Sequence, residues 1–312
     1  MEIVQKLILV LVGAICVLTA ISLLGNHLYL ELATHFRWHY ALTITLCLVP
    51  LVAFRSWKAL PFALACALFN WSFVLPYVAA ARASTPGPAN LRVMLANVYE
   101  ANRDYAALIS SVNEAKPDIV VLQEVTEAWG DQLQTLEANY PYIKSVPRPR
   151  GSGMALLSRY PLTDSEVLTL DSSTHVAILA RIQVQTSSVT VLSLHPTTPI
   201  SPFKFSNRNQ QFSQASSLLR GIKGPRILVG DLNTTMWSPY FRRLLEDSGL
   251  QDARQGFGLR ATWPNPFPRF LQIPIDHCLV SDDVEVVSVR TGVRTGSDHR
   301  PLVVDLRMET VD

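Results

Sequence analysis

Six apolar runs in this 312-residue chain break off into side chains that can hold a cation or move a proton. "LANVYEAN" supplies Asn97, "VVLQEV" reaches Glu124, and "VLSLHPTTP" reaches His195. "ILVGDLNTT" carries Asp231 and Asn233 two residues apart, "IPIDHCLV" opens on Asp276, and "SDHRPLVVDL" opens on Asp298 and His299. Asp, Asn and Gly end strands and cap turns, so any one of these boundaries is explained as a turn. Carboxylates, carboxamides and imidazoles at six boundaries are not explained that way. Carboxylate oxygen holds hard divalent cations, and imidazole exchanges protons near neutral pH. Such chemistry requires the strand ends to meet in space.

The intervening pattern supplies the strands. "LRVMLANVY", "PDIVVLQEV", "GMALLSRYPL", "HVAILARIQVQ", "SVTVLSLH", "PRILVGDLN", "IDHCLVS", "VEVVSVRTG" and "PLVVDLRM" are β-branched or alternating runs. "NRDYAALISSVNEA" and "FSNRNQQFSQASSLLRGI" read as helices, and "YFRRLLEDSGL" as a third closed by Gly249. There is no internal repeat. A strand-rich chain with interspersed helices predicts sheets packed together with helices outside.

The chain is 48% apolar, and the excess is concentrated at the start. Leu7 to Leu24 is eighteen residues without a charge and Ala59 to Ala81 is twenty-three, both long enough to cross a hydrocarbon core. Tyr40 to Phe54 has fifteen; counting Trp38 and His39 as interfacial residues brings it to about 25 Å. Three spans are predicted, the first an anchor rather than a cleaved signal, because no small-x-small cleavage site follows it. Lys6, Arg55 and Lys58 flank one side, against Arg37, Arg82 and Arg92 on the other. This is a weak bias for an internal amino terminus, which places everything past Arg82 outside the cytoplasm. Residues 1–82 form the anchor, the Pro/Gly-rich stretch 83–90 a linker, and 91–312 one catalytic domain. Cys16, Cys47, Cys66 and Cys278 suggest neither a disulfide nor a metal knot and are assigned to packing. Of 27 Lys and Arg and 25 Asp and Glu, five and two lie at or before Arg82, leaving 22 and 23 beyond it. A domain near −1 lacks the basic excess usual in a duplex-DNA binder.

With the ordered runs "LANV", "PDIVVLQEV", "GMALLSRYPL", "LSLHPTTP", "NRNQQF", "ILVGDLNTT", "IDHCLVS" and "GSDHRPLVVDL", residues 91 to 307 resemble the endonuclease/exonuclease/phosphatase (DNase I-like) superfamily. The resemblance implies a four-layered αββα sandwich, two mixed β-sheets with helices outside and the site at one rim. It implies Glu124 as the main metal ligand, with Asn97 beside it and Asp298 as a second carboxylate. Mg²⁺ is the implied ion, with Mn²⁺ a substitute. Asp231 and Asn233 would orient water and hold a phosphate oxygen. His299, positioned by Asp276, would be base or charged clamp, and His195 would contact phosphate or assist the leaving oxygen. Arg208 matches a recurring basic position of the family, read equally as a solvated face or a phosphate contact.

The anchor narrows the family. Three spans before an extracytoplasmic domain, with "GDLNTTMWSPYFRRLLEDSGLQDA" and "TWP", resemble the membrane-anchored bacterial branch of teicoplanin-resistance type. That resemblance implies a multi-pass protein of the bacterial cell membrane, its domain facing the periplasm or exterior. Its partners would be the bilayer and a lipid-linked phosphate or phosphodiester, with no protein partner expected. A membrane-tethered nuclease acting on nucleic acid is the alternative. An inactive binding protein fits less well with Glu124, Asp231, Asn233, Asp298 and His299 all present.

Overall fold

A computed structural model describes residues 1–79, 87–170 and 175–308. The predicted linker falls partly outside these, at 83–86, as does Arg82. Among the described residues, one six-stranded sheet is built from β1 (Leu91–Asn97), β2 (Ile119–Gln123), β3 (Tyr142–Val146), β4 (Met154–Ser158), β11 (Val284–Thr291) and β12 (Leu302–Met308), in the order β11-β12-β1-β2-β4-β3. The second contains β5 (Leu162–Leu168), β6 (Ala177–Val184), β7 (Ser187–Leu194), β8 (Arg226–Asp231), β9 (Gln251–Asp252) and β10 (Asp276–Val280), in the order β5-β6-β7-β8-β10-β9. Each sheet has one parallel pair, β1 with β2 and β7 with β8. Parallel neighbours need a crossover. Here the crossovers are helices, α5 (Tyr105–Ala115) and α7 (Pro202–Arg220).

Alternating side chains of the central strands bury both faces, which is why these strands read as unbroken apolar runs. Val93, Leu95 and Val121 pack between the sheets against Ile178, Val191 and Val229. Met94, Val120 and Leu122 face outward onto α5 and α6 (Glu127–Leu133) through Leu108, Val112 and Trp129. Leu192, Leu228 and Leu279 meet Phe212 and Leu219 of α7 and Phe241 and Leu244 of α8 (Pro239–Ser248). These are four layers, αββα. The edge strands β3 and β5 carry exposed residues on both faces. An exposed, charge-bearing edge discourages pairing with other chains, and it leaves no hydrophobic period to read.

Three further helices are long and apolar enough to cross a membrane, over Glu2–Leu24, Leu28–Ala53 and Leu60–Val78. They centre on α1 (Glu2–Ile21), α3 (Arg37–Ala53) and α4 (Leu60–Val78), with the five-residue α2 (Leu28–Leu32) in the connector before α3. Gln5 donates to the Phe54 carbonyl and the Ser56 hydroxyl, so the amino terminus and the turn after α3 share one end of the bundle. The opposite end meets the sandwich. Ala41 and Val74 join the cluster of α7 and α8, and the carbonyls of Pro76 and Tyr77 accept from Gly256 and Gly258. Arg37, expected as a loop charge, turns into the bundle instead. It donates to Asn70 and sits over the rings of Phe69 and Phe73, which offsets part of the cost of burying the cation, though its Nε has no hydrogen bond. Trp71 likewise faces inward, its indole N–H on Thr45.

Candidate active site

Strand register brings the six boundaries together. Asn97 pairs with Gln123, one residue before Glu124. Asp276 stands opposite Asp231. His195 leaves β7 beside β8, and β12 enters next to Leu95 after carrying Asp298 and His299 through the preceding loop. The two sheets contribute to one rim.

Gln123 ties them there. Its amide donates to the Leu194 carbonyl at 3.0 Å and accepts from the Asp231 N–H at 2.8 Å. A wholly buried carboxamide satisfied on both sides fixes the spacing of the sheets at the point where the carboxylates emerge. Gly230 is required for the same closeness, because a Cβ there would lie 1.8 Å from the Leu194 oxygen. Sequence reasoning did not single out Gln123; the signal was present, since a polar residue sits inside an otherwise apolar strand.

Asp231 is the hub. Its Oδ2 lies 3.6 Å from His299 Nε2, 3.7 Å from His195 Nε2 and 3.3 Å from Asn97 Nδ2. Its Oδ1 accepts from the Asn233 N–H at 2.9 Å, and the Asn233 carboxamide donates to the Pro196 carbonyl. On the far side of His299, Nδ1 meets Asp276 Oδ2 at 2.8 Å. Asn97 also donates to Glu124 at 2.9 Å, and the second oxygen of Glu124 accepts from Glu100 N–H at 3.0 Å. The oxygen of Asn97 accepts from Tyr99 N–H, so its amide nitrogen is the group turned to the carboxylates. Asp298 sits at the margin, where Trp263 donates to its carboxylate at 3.2 Å. The structure thus brings Asn97, Glu124, His195, Asp231, Asn233, Asp276 and His299 into one continuous network, with Asp298 adjoining it. Glu124 and Asn233 both have left-handed backbones, at φ 62° and 51°. Each costs on the order of 1 kcal/mol or more, sustained by the surrounding bonds.

Burial sets the charges. It pushes the Asp231 carboxyl up, to about 7, against the pull of the His299 charge. Burial alone would lower His299, but the charges of Asp276 and Asp231 overcome it and raise the imidazole to about 10. His195 is lowered to about 3 by burial and by the neighbouring His175 and His299, so it is neutral at pH 7. His277 is also buried, and it is a structural residue: Nδ1 lies 3.0 Å from the Arg254 guanidinium and Nε2 2.9 Å from the Thr234 carbonyl.

Asp231, Asp276 and Asp298 thus bear on one imidazolium, Glu124 is linked to Asp231 through the Asn97 amide, and among the described residues no Lys or Arg forms an ion pair with these four carboxylates. Asp276 Oδ1 is buried without a hydrogen bond. Asp231, Asp276 and His299 offer ligand atoms all within 4.8 Å of one another. Four carboxylates with no paired Lys or Arg and an unsatisfied acceptor fit a hard divalent cation at this rim, although a protonated His299 has no lone pair to offer it. Arg208, by contrast, is neither solvated nor open to phosphate: it is wholly buried and paired with Glu31 at 2.6 Å.

The geometry has relatives. The family profile described as "Endonuclease/Exonuclease/phosphatase family" matches residues 94–299. A functionally unknown conserved protein from Enterococcus faecalis superposes with a TM-score of 0.60 at 19% identity, covering 70% of this chain and 100% of its own. TDP2 of D. rerio, in complex with a single-strand DNA product, gives 0.60 at 15%, covering 70% and 99%. The endonuclease/exonuclease/phosphatase from Beutenbergia cavernae gives 0.56 at 20%, covering 70% and 71%. No curated protein sequence matches significantly. Profile, layering and the acidic rim agree: the chain belongs to the endonuclease/exonuclease/phosphatase family and is a metal-dependent phosphoric ester hydrolase.

Proposed function

We propose that the protein is a membrane-anchored hydrolase of a lipid-linked phosphate or phosphodiester. The observation that carries this reading is the apolar character of both segments flanking the rim. Pro196 bonds Asn233, and the same segment runs on to exposed Ile200 and Phe203. Trp263 bonds Asp298, and its segment runs on to exposed Phe267, Phe270 and Leu271. Exposed aromatic and aliphatic tips beside a charged site suit a substrate whose phosphate is attached to hydrocarbon. The near-neutral total charge also hides a local basic cleft. Trp38, Arg260, Arg269 and Phe270 line a cavity of about 260 Å³, and Arg269 continues into a second one with Arg290 and Arg300. Trp38 opens the middle apolar helix, so these cations lie where lipid phosphates would be.

In this reading Glu124 would hold Mg²⁺ or Mn²⁺, with Asp298 beside it and the Asn97 amide N–H orienting the carboxylate; the cation would offset charge on the phosphate oxygens. The chain's own residues do the rest. His299, kept protonated between Asp276 and Asp231, is the charged phosphate clamp. Asp231, oriented by Asn233 and Gln123, takes the proton of the attacking water. Neutral His195 contacts the ester and assists its leaving oxygen.

Full-length protein in detergent with Mg²⁺ should cleave phospholipid or polyprenyl pyrophosphate substrates far faster than plasmid or single-stranded DNA. Preference for DNA, with a rate falling steeply as salt rises, is the signature of the tethered nuclease instead. For topology, Lys6, Arg55 and Lys58 lie in the cytoplasm, residues 1–82 form the anchor, and the domain from 91 onward faces the periplasm or exterior of a bacterial cell. Alkaline phosphatase fused after Asp312 should be active and green fluorescent protein dark. The reverse pattern would overturn the orientation.

A further inference from the structure

The connector between the first two apolar helices reaches the catalytic loop. Glu31, on α2, is 1% exposed and lies 177 to 207 residues from the groups it binds. One carboxylate oxygen meets Arg208 Nη2 at 2.6 Å. The other accepts from the Thr234 hydroxyl at 3.3 Å and from the Ser238 hydroxyl. Arg208 in turn points Nη1 at the Asn233 carbonyl, 3.5 Å away, and its guanidinium is enclosed by Phe205, Phe212 and Tyr240. Around this contact His35 pairs with the Thr235 hydroxyl at 3.1 Å, and the Tyr240 hydroxyl donates to the Asn26 carbonyl. Apart from the Glu31–Arg208 pair itself, each of these bonds falls on residues 233–240, which begin two residues after Asp231. That segment includes the left-handed turn at Asn233, which depends on its surroundings to persist.

We propose that Glu31 is a positioning residue for ester hydrolysis: the anchor's connector is part of the scaffold that aims Asp231 and Asn233. The proposal rests on the assignment of those two residues to the active site. A fully desolvated ion pair is directional only when its remaining acceptors are filled, and here Thr234 and Ser238 fill them. The sandwich without its anchor would leave the Arg208 cation buried beside the catalytic loop with no counter-charge. Anchoring and activity are thereby linked through one carboxylate.

The test uses the full-length chain in detergent, a soluble chromogenic phosphodiester, Mg²⁺, and temperatures well below each variant's Tm. Glu31→Gln keeps the shape but cannot neutralise Arg208, and should lower kcat at least tenfold with KM changed less than twofold. Thr234→Val removes a single bond to Glu31 at constant volume. It should lower kcat by a smaller factor while Tm stays close to wild type. A kcat within twofold of wild type in both variants would make the pair merely structural. Hydrogen exchange supplies a readout that needs no turnover. Amides of 231–238 should exchange faster in Glu31→Gln while those of β1 and β2 stay protected. Unchanged exchange in that segment overturns the coupling, whereas a wild type that cleaves no ester refutes the proposed function alone.

Discussion

Glu124→Gln should lower hydrolysis by on the order of 10³-fold, because a cation that stabilises several kcal/mol of transition-state charge goes with the lost carboxylate. The residue has no other evident task. Its two oxygens accept from the Asn97 amide and the Glu100 N–H, and a Cβ at Gly151 would lie 3.5 Å from its carboxylate carbon. A carboxamide can accept only one of those two bonds, since its nitrogen meets a donor on the other side. The fold should therefore lose about 1 kcal/mol, a small drop in Tm. Calorimetric titration with Mg²⁺ or Mn²⁺ should show binding weakened in the variant. Full activity of Glu124→Gln, or of the wild type in excess chelator, would refute the assignment of this carboxylate to the metal.

The site was legible in the sequence for a physical reason. A strand buried on both faces is apolar until the point where it leaves the core, so a carboxylate after "VVLQ" or "ILVG" marks a rim wherever it occurs in the chain. The partners that hold those residues were less legible. Gln123 looked like part of a strand, and its role depends on Leu194 and Asp231 of the other sheet. Arg208 and Glu31 lie 177 residues apart; Arg208 alone reads as a solvated face or a phosphate contact, and nothing around Glu31 marks it. Neither carries a local pattern that predicts the other. The strands β3 and β5 leave no pattern in the sequence because edge strands have no single buried face to impose a period of two. The short α2 is illegible for a different reason: five residues inside a connector are below the length at which helical spacing can be recognised. Its importance comes from where it docks.

His299→Ala should reduce the rate by about 10²- to 10⁴-fold, the span typical of a positioned acid–base group. The imidazole is 5% exposed, hydrogen-bonded to Asp276 at 2.8 Å, with the Asp231 carboxylate 3.6 Å from its other nitrogen. Removing it leaves two buried carboxylates facing each other with no cation between them, and loss of one partner of a buried pair costs roughly 3–5 kcal/mol. The alanine variant could therefore lose activity by unfolding. His299→Gln separates the two causes, because its amide can still donate to Asp276 but cannot carry a charge. If the imidazolium is the clamp for the phosphate oxygens, His299→Gln should recover much of the Tm lost by alanine and little of the rate. A rate within tenfold of wild type in a folded glutamine variant would show that His299 serves the fold alone. The role of phosphate clamp would then have to be reassigned, while proton transfer by Asp231 and His195, which converge on the same point of the rim, would stand.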